Sequence, residues 1–296
     1  MPCAGRSPTM RWHERASGRL TLFEGRSVWR DALGWVRRVG RTLGPLAAAL
    51  ALALAGWQAL VWSGWRPAYV LPGPGPVLHR LHTDLLHGDL LRATVITLQR
   101  AAVGYTVALV LGMALGLVMV RARTLRAALG PIVAGLQSMP SVAWFPLAIL
   151  LFRLSEAAIL FVVVLGAAPA IATGLVAGAD HIPPLLMRAG RVLGARGWNR
   201  YRHVLVPAAL PGFVAGLKQG WAFAWRSLMA GELLVVIPGR LSLGVQLQFA
   251  REFSDAAGLL AAMIVVLLIG VALDGLVFGR IERGIRARRG LLDPGG

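Results

Sequence analysis

One long apolar segment carries polar and aromatic side chains at helical spacing. At about 100° per residue, four of them fall within about 60° of one another: Lys218, Trp221, Trp225 and Glu232. Lys218 and Glu232 would lie roughly 21 Å apart along the helix axis, so they do not pair with each other. A cation on such a stripe could bind a negatively charged solute. The same side chains could instead pack between helices and pair with other charges, and the sequence leaves both interpretations open.

Arg100 is a second charge inside an apolar segment, about two turns from its start and on one face with Ala93 and Thr97. It could attract anions, or it could hold its helix against a carbonyl group of a neighbouring helix. The second interpretation is favoured, because a charge buried in a membrane is usually fixed by a protein neighbour.

Catalytic and metal-binding patterns are missing from the sequence. It contains no H-E-x-x-H, no G-x-S-x-G and no paired catalytic carboxylates, so we do not expect an enzyme. Of His79, His82 and His87, only the first two have a ligand-like spacing, and the single cysteine is Cys3, so we expect no metal site. No G-x-x-x-x-G-K-[ST] loop is present either. Any ATP and Mg would therefore be used by a partner, with no cofactor bound directly.

The composition is that of a polytopic membrane protein. Mean hydropathy is +0.65 and 56% of the residues are hydrophobic. The net charge of +18 does not indicate nucleic acid, because the arginines lie in short segments between apolar runs. Each run is long enough to cross a hydrocarbon core of about 30 Å. We predict an all-α fold with six membrane spans, at 43–62, 93–120, 130–152, 157–179, 207–236 and 258–279.

Arginine-rich and arginine-poor segments alternate along the chain. The rich ones are the N-terminal tail, the links after the second and fourth spans, and the C-terminal tail. Basic segments stay on the cytoplasmic side, so we expect both termini in the cytoplasm of a multi-pass protein.

Three regions follow from this pattern. Residues 1–42 form a basic cytoplasmic tail, 43–280 the transmembrane domain, and 281–296 a second basic tail. Within the first tail, residues 28–41 have an amphipathic pattern typical of an interfacial helix, although a disordered basic tail remains an alternative. In the third span, Gln137, Ser138 and Pro140 interrupt the apolar run and predict a kink.

The cytoplasmic segment 181–206 has a helix–turn–helix pattern. Pro183 and Pro184 suit a first helical turn, and helical sequence continues to Leu193. Gly194 permits a sharp change of direction. A second short helix is predicted at about 196–205, before Pro207 opens the fifth span. Two short helices at an angle can seat on a soluble partner and transmit its movement.

This segment resembles the cytoplasmic loop of ABC-importer permeases, with its pattern of EAA, three residues, Gly, nine residues and Ile-x-Leu-Pro. Four positions match in type and spacing: Gly194, Val204, Val206 and Pro207. The departures are Arg188 at the usual Glu and Ala189-Gly190 at the usual Ala-Ala. YVLPGPGPVL, PIVAGLQSMPSVAWFPLAILLF, LGARGWNRYRHVLVPAALPG and GWAFAWRSLMAGELL are similar to the nitrate/sulfonate/taurine group of these permeases.

The resemblance implies a type I importer fold working as a homodimer in the bacterial inner membrane. It implies two ATPase subunits below the membrane, and a periplasmic or lipid-anchored binding protein above it. The solute implied is a small oxyanion such as a sulfonate, taurine or nitrate. The alternative is a secondary transporter or channel without an ATPase partner, which would more often bury acidic residues for ion coupling.

Overall fold

The computed structural model describes residues 44–45 and 47–288, and in this part of the chain every regular element is a helix. The chain divides into two units, residues 1–59 and 60–296. The interfacial helix predicted within 28–41 lies outside the described residues. The helices are α1 (Ala47–Trp62), α2 (Pro74–His87), α3 (Asp89–Arg121), α4 (Arg123–Ser138), α5 (Phe145–Phe152), α6 (Glu156–Asp180), α7 (Pro184–Val192), α8 (Gly197–Arg200), α9 (Val206–Leu234), α10 (Leu243–Glu252), α11 (Ala256–Leu273) and α12 (Gly279–Arg288).

Helices overlap all six predicted spans, the third in two pieces, although they differ in how clearly each could cross a membrane. By length and apolar composition, three helices of the described chain qualify: α3, α6 and the continuous stretch Ala256–Ile285. A bent pair makes a fourth if it counts as one span. The other two are α1, which is apolar but short, and α9, whose 29 residues include Lys218, Arg226 and Glu232.

The third predicted span, 130–152, does not form one helix. α4 ends at Ser138, a 3₁₀ turn follows at Ser141–Trp144, and α5 leaves at an angle of 102°. Met139 is extended, as the residue before a proline prefers to be, and Pro140 has no N–H with which to continue the helix. Ser227 of α9 holds the 3₁₀ turn by donating to Ser141 over 2.7 Å. The predicted kink is therefore a full break.

α6 is the most buried of the long helices and packs against both α3 and α9. Its inward face joins one core cluster with side chains from α5 and α9. The fully buried side chains of this cluster include Phe145, Ile159, Val162, Ile171 and Leu228.

α6 and α9 meet backbone to backbone along a seam of glycines. Gly174 lies against Gly216, and Gly178 lies against Gly212. A Cβ added to Gly178 would stand 2.7 Å from the carbonyl oxygen of Ala209. Small residues four apart permit this approach in membrane helices, so the seam brings the two helix axes close together.

Candidate functional site

The predicted helix–turn–helix segment is present between α6 and α9. α7 begins at Pro184 and its last turn is closed by three backbone bonds. Leu193 N–H donates to Ala189 O over 3.0 Å, Gly194 N–H to Arg191 O over 3.1 Å, and Ala195 N–H to Gly190 O over 2.8 Å. Gly194 has a φ of +79°, in the left-handed region that favours glycine. The sharp turn expected at this residue is confirmed.

The second arm contains α8 and a π-helical turn, Tyr201–Leu205, that runs into α9 at Val206. The two arms touch where Gly190 faces Val204, since a Cβ on Gly190 would stand 2.9 Å from Val204 Cγ2. A glycine at the usual alanine position thus lets the arms approach closely. Pro207 lies in the first turn of α9, where a proline costs little.

The loop presents a mixed apolar and basic surface. Four apolar side chains are mostly exposed: Leu185, Val192, Leu193 and Trp198. Arg188, Arg191, Arg196 and Arg202 are exposed among them, and residues 182–206 contain no acidic residue. A cluster of exposed apolar side chains beside arginines is consistent with an interaction surface. A partner should therefore offer an apolar groove with polar or acidic edges.

A buried charge network lies at the opposite end of the spans. Arg100 of α3 donates twice to Glu156 at the start of α6, at 2.7 Å each, and once to Glu232 of α9 at 2.9 Å. Glu232 also accepts from Thr97 Oγ1 at 2.9 Å and from Gly244 N–H at 3.1 Å. Leu243 N–H donates in turn to Thr97 Oγ1. The network fixes four helices to one another.

Arg100 and Glu232 therefore pair with each other inside this chain, as the packing interpretation expects, and a role for them in the solute path stays a prediction. Arg100 is 5% exposed and Glu232 is fully buried. Glu156 completes the pair and was missed by sequence reasoning. The available signal was its position just before an apolar run, where it starts a helix at the same membrane level as Arg100.

Comparison with known proteins identifies the fold. A family described as the binding-protein-dependent transport system inner membrane component matches residues 108–287. The chain belongs to this family. The nitrate import permease of a Synechocystis species is 30% identical to this permease, over 78% of this chain and 85% of that one. The riboflavin transport system permease of Chloroflexus aurantiacus is 34% identical, over 80% and 87%.

A solved structure has the same architecture. The inward-facing MetNI methionine ABC transporter superposes with a TM-score of 0.56, over 68% of this chain and 98% of that one, at 23% identity. The protein is therefore a transmembrane permease subunit of an ABC importer with the type I fold. The permease is not itself the catalytic subunit, and the secondary-transporter alternative loses its support.

Lys218 of the permease is an ion-pair residue as well. Its Nζ lies 3.2 Å from Asp274 and 3.7 Å from Glu282, and 36% of its side chain is exposed. Trp221 and Trp225 stack with ring centroids 6.1 Å apart, and both pack against the core. The face predicted as a solute route is thus mostly covered by the permease's own helices, and a role for it in transport stays a prediction.

Proposed function

We propose that the permease works as a homodimer in the bacterial inner membrane. Two ATPase subunits bind it from the cytoplasm, and a periplasmic or lipid-anchored binding protein delivers the solute from outside. Family membership supports an ATPase and a binding protein as partners. The number of subunits and the cytoplasmic position of both termini rest on the resemblance and on the arginine distribution.

The geometry of the 181–206 loop carries this proposal. Two short helices project at a fixed angle, with exposed Val192, Leu193 and Trp198 ready to enter a groove. The turn between them is fixed by three backbone hydrogen bonds, so a push on one arm is passed to α9 through the other. In this proposal the partner subunit binds ATP and Mg. The permease contributes the surface on which that subunit docks.

Single-cysteine variants test both the docking and the orientation. In a Cys3→Ser background, Ala195→Cys or Trp198→Cys should crosslink to the ATPase subunit in the assembled importer. The matched control is Phe253→Cys, at an 80% exposed position just beyond α10, which should not crosslink. An impermeant thiol reagent added to intact cells, outer membrane permeabilised, should label only the control. Labelling of Ala195→Cys from outside would contradict the proposed orientation.

The solute we propose is a small oxyanion such as nitrate, a sulfonate or taurine. The nitrate permease of Synechocystis supports this class, while the riboflavin permease of Chloroflexus names a different solute at similar identity. The solute that the binding protein prefers decides between these two classes.

We expect the purified binding protein to be stabilised by nitrate, taurine or methanesulfonate in a thermal-shift measurement. Stabilisation by riboflavin alone would contradict the oxyanion assignment.

A further inference from the structure

Arg226 of α9 is an exposed cation without a carboxylate partner among the described residues. Its Nε donates to the carbonyl oxygen of Ala222 over 3.0 Å, and its guanidinium lies 4.7 Å from the centre of the Phe223 ring. Two cations that also lie away from the ends of the long span helices differ. Arg100 and Lys218 each meet two carboxylates of this chain.

The depth of Arg226 makes its exposure costly. Along α9 it lies about 12 Å from Lys218 and about 9 Å from Glu232, at 1.5 Å per residue. It therefore stands between the ion pairs of Lys218 and the buried network around Glu232. A charged side chain that faces hydrocarbon at such a depth is unfavourable, and charged residues in spans almost always face a cavity or a protein neighbour. We therefore expect Arg226 to face water or protein rather than lipid.

The helix face that carries Arg226 does not resemble a lipid-facing surface. Five exposed residues lie within about 80° on α9 and form what we call the small-polar face: Pro211, Ala215, Gln219, Ala222 and Arg226. The exposed face of α11, in contrast, carries Met263, Leu267, Leu268 and Val271. Small and polar side chains in a span mark a protein contact or a cavity.

The inner half of the small-polar face opens into a groove of about 600 Å³ between α6 and α9. Pro211, Ala215 and Gln219 line it together with Thr173 of α6, and the glycine seam forms its floor. Because Thr173 belongs to α6, the polar surface extends from the small-polar face of α9 onto a second helix. Arg226 lies outward of it on the same face of α9.

We propose that the small-polar face lines the solute route of the assembled permease, and that Arg226 is the cation that selects a negatively charged solute there. This proposal rests on the importer function proposed above. We expect that a second copy of the chain does not offer Arg226 a carboxylate. Five acidic residues described in the span helices are in ion pairs: Glu156, Asp180, Glu232, Asp274 and Glu282. Asp89 is the first residue of α3 and so lies at the end of its helix. Two copies related by symmetry would add a second positive charge, which a passing anion can neutralise.

Thiol accessibility tests this route without knowledge of the solute. In the Cys3→Ser background, Arg226→Cys should react with water-soluble charged methanethiosulfonate reagents in the assembled importer. The matched control is Leu267→Cys on α11, whose side chain is 63% exposed but faces the apolar side, and it should stay unreactive. Equal lack of reaction at both positions would overturn the proposal while leaving importer activity intact.

Charge at position 226 gives the second test. For uptake of nitrate or methanesulfonate, Arg226→Met should lower the rate about tenfold, as expected from the loss of one favourable charge contact. Arg226→Lys should retain most of the rate. The yield of assembled complex should be unchanged in both. Modifying Arg226→Cys with a cationic reagent should preserve uptake, and an anionic reagent should block it.

Two outcomes would contradict the role of Arg226. Equal uptake in Arg226→Met and the wild type would remove its part in selecting anions. A collapse of complex yield in Arg226→Met would instead place the side chain in the contact between copies. Failure of the importer proposal would look different, since the wild type itself would then show no ATP-driven uptake of either anion.

Discussion

Gly194→Leu lowers ATP-driven uptake by about tenfold or more, while the permease still reaches the membrane. The left-handed φ of +79° at this residue costs a side chain with a Cβ roughly 1–2 kcal/mol. No atom lies within 4 Å of a Cβ built on Gly194, so the effect comes from the backbone and not from a clash. In Gly194→Leu the bent arrangement of α7 and α8 is less populated, so the ATPase subunit lacks a defined docking surface.

The matched variant is Gly194→Asn, because asparagine visits the left-handed region more readily than other residues with a side chain. It should keep most of the uptake, and Gly194→Ala should fall between the two. Uptake, membrane level and crosslinking of Trp198→Cys to the ATPase are measured on the same preparations. Normal uptake in Gly194→Leu would show that the turn does not couple the two subunits.

Arg100→Met destabilises the permease by about 3–5 kcal/mol, the range measured when one partner of a buried ion pair is removed. Glu232 would then be left fully buried with a negative charge and only Thr97 and a backbone N–H to satisfy it. The expected result is a large loss of folded protein in detergent and a lower unfolding temperature.

Lys218→Met is the control for this variant, because Lys218 also meets two carboxylates but is partly exposed. The pairs of Lys218 are less buried than those of Arg100, so we expect a smaller fall in its unfolding temperature. Adding Glu232→Gln to Arg100→Met removes the stranded charge and should restore part of the loss. Equal unfolding temperatures for Arg100→Met and Lys218→Met would refute the structural role of the buried network.

The sequence predicts those features that depend on local chemistry. Pro183, Pro184, Gly194 and Pro207 each constrain the backbone directly, so the two arms and the turn of the loop could be placed within a few residues. The interruption at Pro140 was also predictable for the same reason. Its angle of 102° was not, because it depends on how the 3₁₀ turn binds to α9 through Ser227.

The sequence did not show which residues pair with the charges inside the spans, and for a physical reason. Helical spacing shows that Lys218 and Glu232 share a face, but not which helix covers that face. Arg100 finds its partners in residues 56 and 132 positions away along the chain. Arg226 lies off that face, and the fold leaves its side chain exposed. Ion pairs between distant spans can be identified only when the packing of the helices is known.

The glycine seam has a consequence for motion. Where two backbones touch, no rotamer can adjust, and sliding one helix past the other drives main-chain atoms together. We therefore expect α6 and α9 to travel as a single rigid block during the transport cycle. The hinge must lie elsewhere, and the extended residues Met139 and Pro140 are where the chain can bend without breaking a helical hydrogen bond. A movement of the 181–206 loop would then displace the fourth and fifth spans together.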